Sequence, residues 1–139
     1  MNPPIACDMT GAPDTGPERM AEYQRLFTDA LVGRERTGAG IRFRLRADQG
    51  IEDWVRDLAA REKACCPFFD FSVTTAGDEV HWDATVIDDD TARAILDEFY
   101  AMPDNLESGV EGLEARLVGR RLEIVASPDG AVKEVRQGR

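Results

Sequence analysis

The chain has 139 residues, of which 42% are hydrophobic, and its formal net charge is −10 at pH 7. This length suits one domain with a single hydrophobic core. A polyanion is repelled by nucleic acid phosphates and by anionic lipid, so we expect neither nucleic acid nor a membrane as a partner. The longest apolar runs are a few residues, too short to span a bilayer.

The N-terminal segment lacks a basic stretch followed by an apolar one, so we predict no secretory signal and a cytoplasmic location. Thiols are kept reduced in that compartment. The chain has three cysteines, an odd and small number that argues against a disulfide framework.

The first third of the chain predicts a strand and a helix. Cys7 lies on the apolar side of a short predicted strand at 5–9, pointing towards the interior. Thr15 and Glu18 have the spacing of a capping box, in which each side chain bonds a backbone N–H of the other residue. Apolar side chains then recur at helical spacing, which predicts a helix over 17–33.

A second strand and a second helix follow. The stretch 40–46 alternates arginines with apolar residues, which predicts a half-buried strand with a solvated basic face. Asp48 is the predicted N-cap of a helix over 50–64. Pro67 disfavours helical geometry at Cys66, so this helix should end close to the cysteines.

The next elements are a hairpin at 68–75 and 79–86 and a helix over 90–101, capped by the acidic run "DDDT" and closed by Met102-Pro103. This order, β-α-β-α-β-β-α, predicts an α+β sandwich with helices packed on a mostly antiparallel sheet. We assign 1–103 to the core domain. Residues 104–139 form an extension with a weak helical pattern at 106–117 and a terminal hairpin around "SPDG".

The segment "REKACCPFFDF" carries the chemistry. Cys65 and Cys66 are adjacent at the predicted C-terminal end of the second helix. Glu62, three and four residues upstream, shares their helix face. A carboxylate on an otherwise apolar stripe is costly unless it is paired or used. If Cys7 points inward as predicted, all three thiols converge at one end of the core.

The hypothesis that we favour is a site for a soft metal or metalloid ion. Thiolate sulfurs suit Hg(II), Cu(I), As(III) or Zn(II), and Cys7, Cys65, Cys66 and Glu62 would supply three or four ligands. Adjacent cysteines differ from the C-x-x-C spacing of ordinary zinc sites, so zinc fits least well. No nucleotide cofactor is expected. His81 is the only histidine, and its alternation with Val80 and Trp82 predicts a solvated strand residue rather than a ligand.

Three other functional interpretations remain open. In an enzyme, Cys65 or Cys66 would be the nucleophile, with Glu62 as the acid/base; Asp70, the other carboxylate nearby, falls on the outer face of its strand. Thiol redox chemistry is disfavoured because a helix C-terminus opposes a thiolate. A non-catalytic binder would hold an apolar small molecule, with a pocket lined by Trp54, Phe68, Phe69, Phe71 and Trp82.

Buried structural cysteines are the plainest alternative, since free cysteine is among the most buried residue types. The acidic surface would also tolerate a protein partner, such as a second copy of the chain in a homodimer.

Residues 4–101 resemble a group of small, largely uncharacterised bacterial proteins with the pattern E-x-x-C-C-P-F, which here spans residues 62–68. In these proteins an early cysteine, as in "IAC", a helix and an arginine-flanked strand precede the motif. They are associated with genomic neighbourhoods of mercury-type regulators and heavy-metal resistance. The resemblance implies a cytoplasmic metal- or metalloid-handling role that involves Cys7, Glu62, Cys65 and Cys66.

Overall fold

The computed structural model describes residues 12–105 together with two strands at 122–126 and 132–137. The elements in chain order are α1 (Gly16–Ala30), β1 (Leu31–Arg36), β2 (Ile41–Arg46), α2 (Ile51–Cys65), β3 (Phe69–Ala76), β4 (Glu79–Val86), α3 (Asp90–Asn105), β5 (Leu122–Ala126) and β6 (Val132–Gln137). Within these ranges, no helix combines the length and the hydrophobicity needed to cross a bilayer.

The first four strands form one antiparallel sheet in the order β1-β2-β4-β3, and the helices pack against it. The fold is therefore α+β, as predicted. β5 and β6 pair with each other in a separate two-stranded sheet, which confirms the terminal hairpin. The predicted strand at 5–9 and the helical pattern at 106–117 lie outside the described residues.

One face of the sheet is buried under the helices. Ile41, Phe43 and Leu45 of β2 lie beside Val80 and Trp82 of β4, all with no exposed surface. The helices complete this core with Tyr23, Leu26, Phe27, Val55, Leu58, Ala92, Leu96 and Phe99. The alternation of apolar residues along β2 and β4 is thus the pattern of a sheet covered on one side.

The opposite face of the sheet carries paired charges. Arg42 donates through two nitrogens to the Asp83 carboxylate, and Arg44 forms ion pairs with Glu35 and Glu79. The predicted solvated basic face is present, but its arginines already face carboxylates.

α1 begins as predicted, with Thr15 and Glu18 forming a reciprocal capping box. The helix ends at Ala30, however, three residues before the predicted end at 33. The chain continues directly into β1, a strand that the sequence analysis missed. The helix ends there because β1 pairs with β2, and this backbone pairing outweighs the helical spacing of Leu31.

Two further boundaries differ from the prediction. The N-cap of α2 is Gly50 in the left-handed conformation, with φ 85°, so Asp48 does not cap this helix. α3 includes Pro103 and continues to Asn105, beyond the predicted stop at 101. Proline costs a helix one backbone donor, and within the last turn that loss affects only the frayed end. The cap of α3 is as predicted, since Asp89 Oδ1 accepts from the N–H groups of Thr91 and Ala92.

Candidate functional site

The last turn of α2 brings the three predicted ligand residues together. Cys65 is the final helical residue and Cys66 is the C-cap, whose N–H donates to the Glu62 carbonyl at 2.7 Å. Pro67 follows, and the helix ends beside the cysteines as its position predicts. Glu62 lies one turn earlier on the same face.

The ligand atoms of these residues form a compact group. One atom each from Glu62, Cys65 and Cys66 lies within 4.8 Å of the other two, close enough to hold a metal ion. The two Sγ atoms are 3.7 Å apart, and Cys66 Sγ is 4.0 Å from Glu62 Oε2. Both cysteines are 4% exposed, so the group is almost closed to solvent.

The two cysteines differ in redox state. Cys65 is a free thiol, whereas Cys66 is disulfide-bonded. A disulfide requires sulfurs about 2 Å apart, so Cys66 is not bonded to Cys65. The expectation of fully reduced thiols is therefore wrong for Cys66, because the cysteine count cannot say which sulfurs meet in the fold. Cys7, the third cysteine, lies outside the described residues.

Arg19 is a site residue that the sequence analysis missed. It is 4% exposed, and its Nη1 donates to Glu62 Oε1 and to Cys65 Sγ, both at 3.2 Å. Asp14 holds the other side of the guanidinium at 2.6 and 2.9 Å. Its position in the sequence could have indicated this burial. Arg19 precedes the buried Tyr23 by four residues and so lies on the buried stripe of α1.

A second arginine holds this network in place. Arg61 donates to Asp14 at 3.0 Å and to Glu22 at 2.6 Å. Glu22 also accepts from the Trp54 indole at 2.7 Å. Asp14 therefore links Arg19 and Arg61, and the network ties α1 to α2 beside the cysteines.

Burial and neighbouring charges together set the pKa values of the ionisable groups in this network. Hydrogen bonding to Arg19 lowers the pKa of Asp14. Burial raises the pKa of Glu62 despite the facing Arg19 charge. Burial, followed by the Glu62 charge, raises the pKa of Cys65 to about 11. The Cys65 thiol is therefore protonated at neutral pH, which works against its use as a nucleophile.

Trp82 Nε1 is a buried polar atom without a hydrogen bond among the described residues. The buried Tyr23 phenol lies beside Glu62: burial raises the pKa of Tyr23, and a hydrogen bond to Tyr23 acts to lower the pKa of the Glu62 carboxyl group.

The other candidate polar residues lie elsewhere. His81 Nε2 is 3.0 Å from Glu79 Oε1, on the sheet face opposite to Val80 and Trp82. Asp70 is 87% exposed and pairs with Lys63 at 3.5 Å. Neither belongs to the group formed by Glu62, Cys65 and Cys66.

The aromatic residues considered as pocket walls pack mainly with each other. Phe68, Phe69 and Trp82 are buried in the core, whereas Trp54 and Phe71 are partly buried against it. The Phe69 ring stacks on Phe71 at 5.2 Å and meets Phe99 edge-on. These side chains form part of the hydrophobic core.

No family model matches the chain, and comparison with curated proteins and with solved structures gives no significant match.

Proposed function

We propose that the protein binds a soft metal or metalloid ion at the last turn of α2, through the two cysteine sulfurs and the Glu62 carboxylate. The observation that carries this proposal is the compact group itself, with its ligand atoms within 4.8 Å of one another. Sulfur ligands favour thiophilic ions over Mg²⁺ or Ca²⁺, which prefer oxygen. The resemblance of the E-x-x-C-C-P-F segment to proteins from heavy-metal resistance neighbourhoods supports the same role.

Binding requires Cys66 in its reduced form. A sulfur in a disulfide has no thiolate to offer, whereas a metal-bound cysteine is deprotonated. Reduction of the Cys66 disulfide would give two adjacent thiols, so the binding-competent protein is the reduced one. Cys7, a ligand in the hypothesis drawn from the sequence, is proposed as a further ligand.

The surroundings suit a site that holds a ligand away from water. Glu62 is only 18% exposed on its side chain, and Arg19 holds it in place by a 3.2 Å ion pair. Hydrogen bonds that fix a ligating carboxylate are typical of metal sites. Arg19 and Asp14 thus act as the outer support of the proposed site.

Native mass spectrometry tests the proposal. Reduced protein is titrated with Hg(II), Cu(I), As(III) and Zn(II) salts, and the disulfide form is titrated in parallel. We expect a 1:1 adduct with at least one of these ions in the reduced form, and a much weaker one in the disulfide form. Circular dichroism of each sample checks that the fold is kept.

Matched variants separate the ligands. Cys65→Ser and Cys66→Ser should each abolish the tight adduct, and Glu62→Gln should weaken it. Cys7→Ser tests whether the third cysteine contributes. If reduced wild type and the Cys65→Ser/Cys66→Ser double variant bind every ion equally weakly, the proposal is wrong and the cysteines are core residues.

A further inference from the structure

We propose that Lys63 is a latch that closes the end of α2 over the two cysteines and controls how fast a small molecule reaches their sulfurs. The latch consists of the Lys63 amino group and the backbone carbonyls of Pro67 and Phe69. It concerns access to the sulfurs and not the identity of the species that binds them. The inference therefore goes beyond the proposed function and can fail independently of it.

Lys63 bridges the last turn of α2 and the first residue of β3. Its Nζ donates to the Pro67 carbonyl at 2.8 Å and to the Phe69 carbonyl at 2.6 Å. A third contact, to the Asp70 carboxylate at 3.5 Å, is an exposed ion pair that adds little. Hydrogen bonds donated by a charged ammonium group are stronger than those between neutral groups. One side chain therefore holds the segment 63–69 closed.

The cysteines lie inside this closed segment. The Cys66 N–H donates to the Glu62 carbonyl at 2.7 Å, and the Cys66 carbonyl accepts from the Phe69 N–H at 3.1 Å. Residues 66–69 thus form a turn with Pro67 in its second position, where proline is favoured. Both cysteines are 4% exposed. Separation of the last turn of α2 from β3 would expose their sulfurs, and that movement breaks the hydrogen bonds of Lys63.

Lys63 lies at the surface, whereas the network around Arg19 is buried. The Lys63 side chain is 49% exposed, so water replaces its partners when the amino group moves away. Arg19 is 4% exposed, and a buried ion pair that loses one partner is strongly destabilised. The hydrogen bonds of Lys63 can therefore break and re-form at a lower cost in free energy than those of Arg19.

The residue type suits this position. Only Lys63 and Lys133 are lysines among the 17 basic residues of the chain. A lysine ammonium is a compact group whose three donors point to separate acceptors, whereas an arginine guanidinium holds its donors in one plane. Two carbonyls and a carboxylate surround the Lys63 nitrogen. An arginine at this position would not reproduce these contacts.

Alkylation of Cys65 by iodoacetamide tests the latch. Cys65 is the free thiol of the pair, and the reagent is neutral, so a change in surface charge does not alter its approach. Native full-length protein with its disulfide intact is labelled, and mass spectrometry follows the rate. Lys63→Met should raise the labelling rate about tenfold, because loss of the two hydrogen bonds favours the open form. Lys63→Arg, which keeps the charge, should raise it less.

Arg56→Met is the matched control. Arg56 is an exposed cation of the same helix, and it pairs with Glu52 at 3.3 Å, away from the turn. This variant removes the same charge as Lys63→Met without touching the latch. Its labelling rate should equal that of wild type.

Hydrogen exchange separates local opening from global unfolding. In Lys63→Met the Phe69 amide should exchange faster, whereas the amide of Phe43, in the buried core of the sheet, should keep its wild-type rate. A labelling rate in Lys63→Met equal to that of wild type would overturn the latch. So would an equal acceleration of exchange at both amides.

The latch and the proposed function fail separately. If ions bind but Lys63→Met is labelled at the wild-type rate, only the latch is wrong. If Lys63→Met is labelled faster but no ion binds, the latch stands and the proposed function is wrong.

Discussion

At the scale of single residues, Arg19 acts on the pKa values of three neighbouring groups. Its guanidinium is shared between Asp14, Glu62 and Cys65. The bidentate contact lowers the pKa of Asp14, whereas burial of the Glu62 carboxyl group outweighs its single contact with Arg19 and raises its pKa. The pKa values of two carboxyl groups that face the same cation therefore shift in opposite directions, because their contacts and their burial differ.

Replacement of Arg19 by methionine should destabilise the protein strongly. The variant leaves Asp14 and Glu62 without their shared cation, and breaking a buried ion pair by removal of one partner costs about 3–5 kcal/mol. Urea unfolding of wild type and Arg19→Met measures the difference in the free energy of unfolding. Arg19→Lys is the control: it keeps the charge but loses the bidentate contact, so its loss should be smaller. Equal stability of wild type and Arg19→Met would contradict the network described.

The sequence was sufficient for the local part of the site and insufficient for the rest. Glu62, Cys65 and Cys66 belong to one helical turn, so helical spacing alone places them on one face. Arg19 reaches them from another helix, and a contact between distant segments leaves no periodic signal. The disulfide of Cys66 was missed for the same reason, because it depends on a distance in the folded chain.

At the scale of elements, periodicity predicted the helices and the β3–β4 hairpin but not the edge strand. Leu31 continues the apolar spacing of α1, and only its pairing with Leu45 shows that the chain has become a strand. Gly40, before β2, marks a close approach between strands: a Cβ there would collide with the carbonyl oxygen of Ala84 in β4.

Gly40→Ala should therefore be destabilising, whereas Gly38→Ala should not. The new methyl group would push β2 away from β4, and overpacking of this kind costs about 1–3 kcal/mol. At Gly38 an added Cβ meets no atom within 4 Å, which makes that variant the matched control. Thermal unfolding followed by circular dichroism compares the two. Equal melting temperatures would mean that the sheet shifts there without cost.

At the scale of the whole molecule, charge and burial together shape the response to alkaline pH. The chain carries 27 acidic and 17 basic residues, so it becomes more negative as pH rises and its self-repulsion grows. That effect is shared by all variants of the same charge. The buried Cys65 thiol adds a second dependence of stability on pH, which a single substitution can isolate.

Wild type should lose stability relative to Cys65→Ser as the pH rises from 9 to 11. The pKa of Cys65 is raised by burial from 9.0 to about 11, so in this window the unfolded chain releases the proton while the folded chain keeps it. The contribution of the protonated Cys65 thiol to the free energy of unfolding is fully present below pH 9 and is lost as the pH passes 11. Two pKa units correspond to about 2–3 kcal/mol. Urea unfolding at pH 8, 9.5 and 11 measures it. A pH-independent difference between the two proteins would contradict the raised pKa.

The near-complete burial of the two sulfurs also has a kinetic consequence. With 4% of each cysteine exposed, a ligand reaches the sulfurs only when the end of α2 opens locally, and such opening is a unimolecular step with its own rate. Uptake should then become independent of ligand concentration once opening is rate-limiting, and release should be equally slow. Slow release of the proposed ion would suit storage or sequestration better than rapid hand-over between proteins.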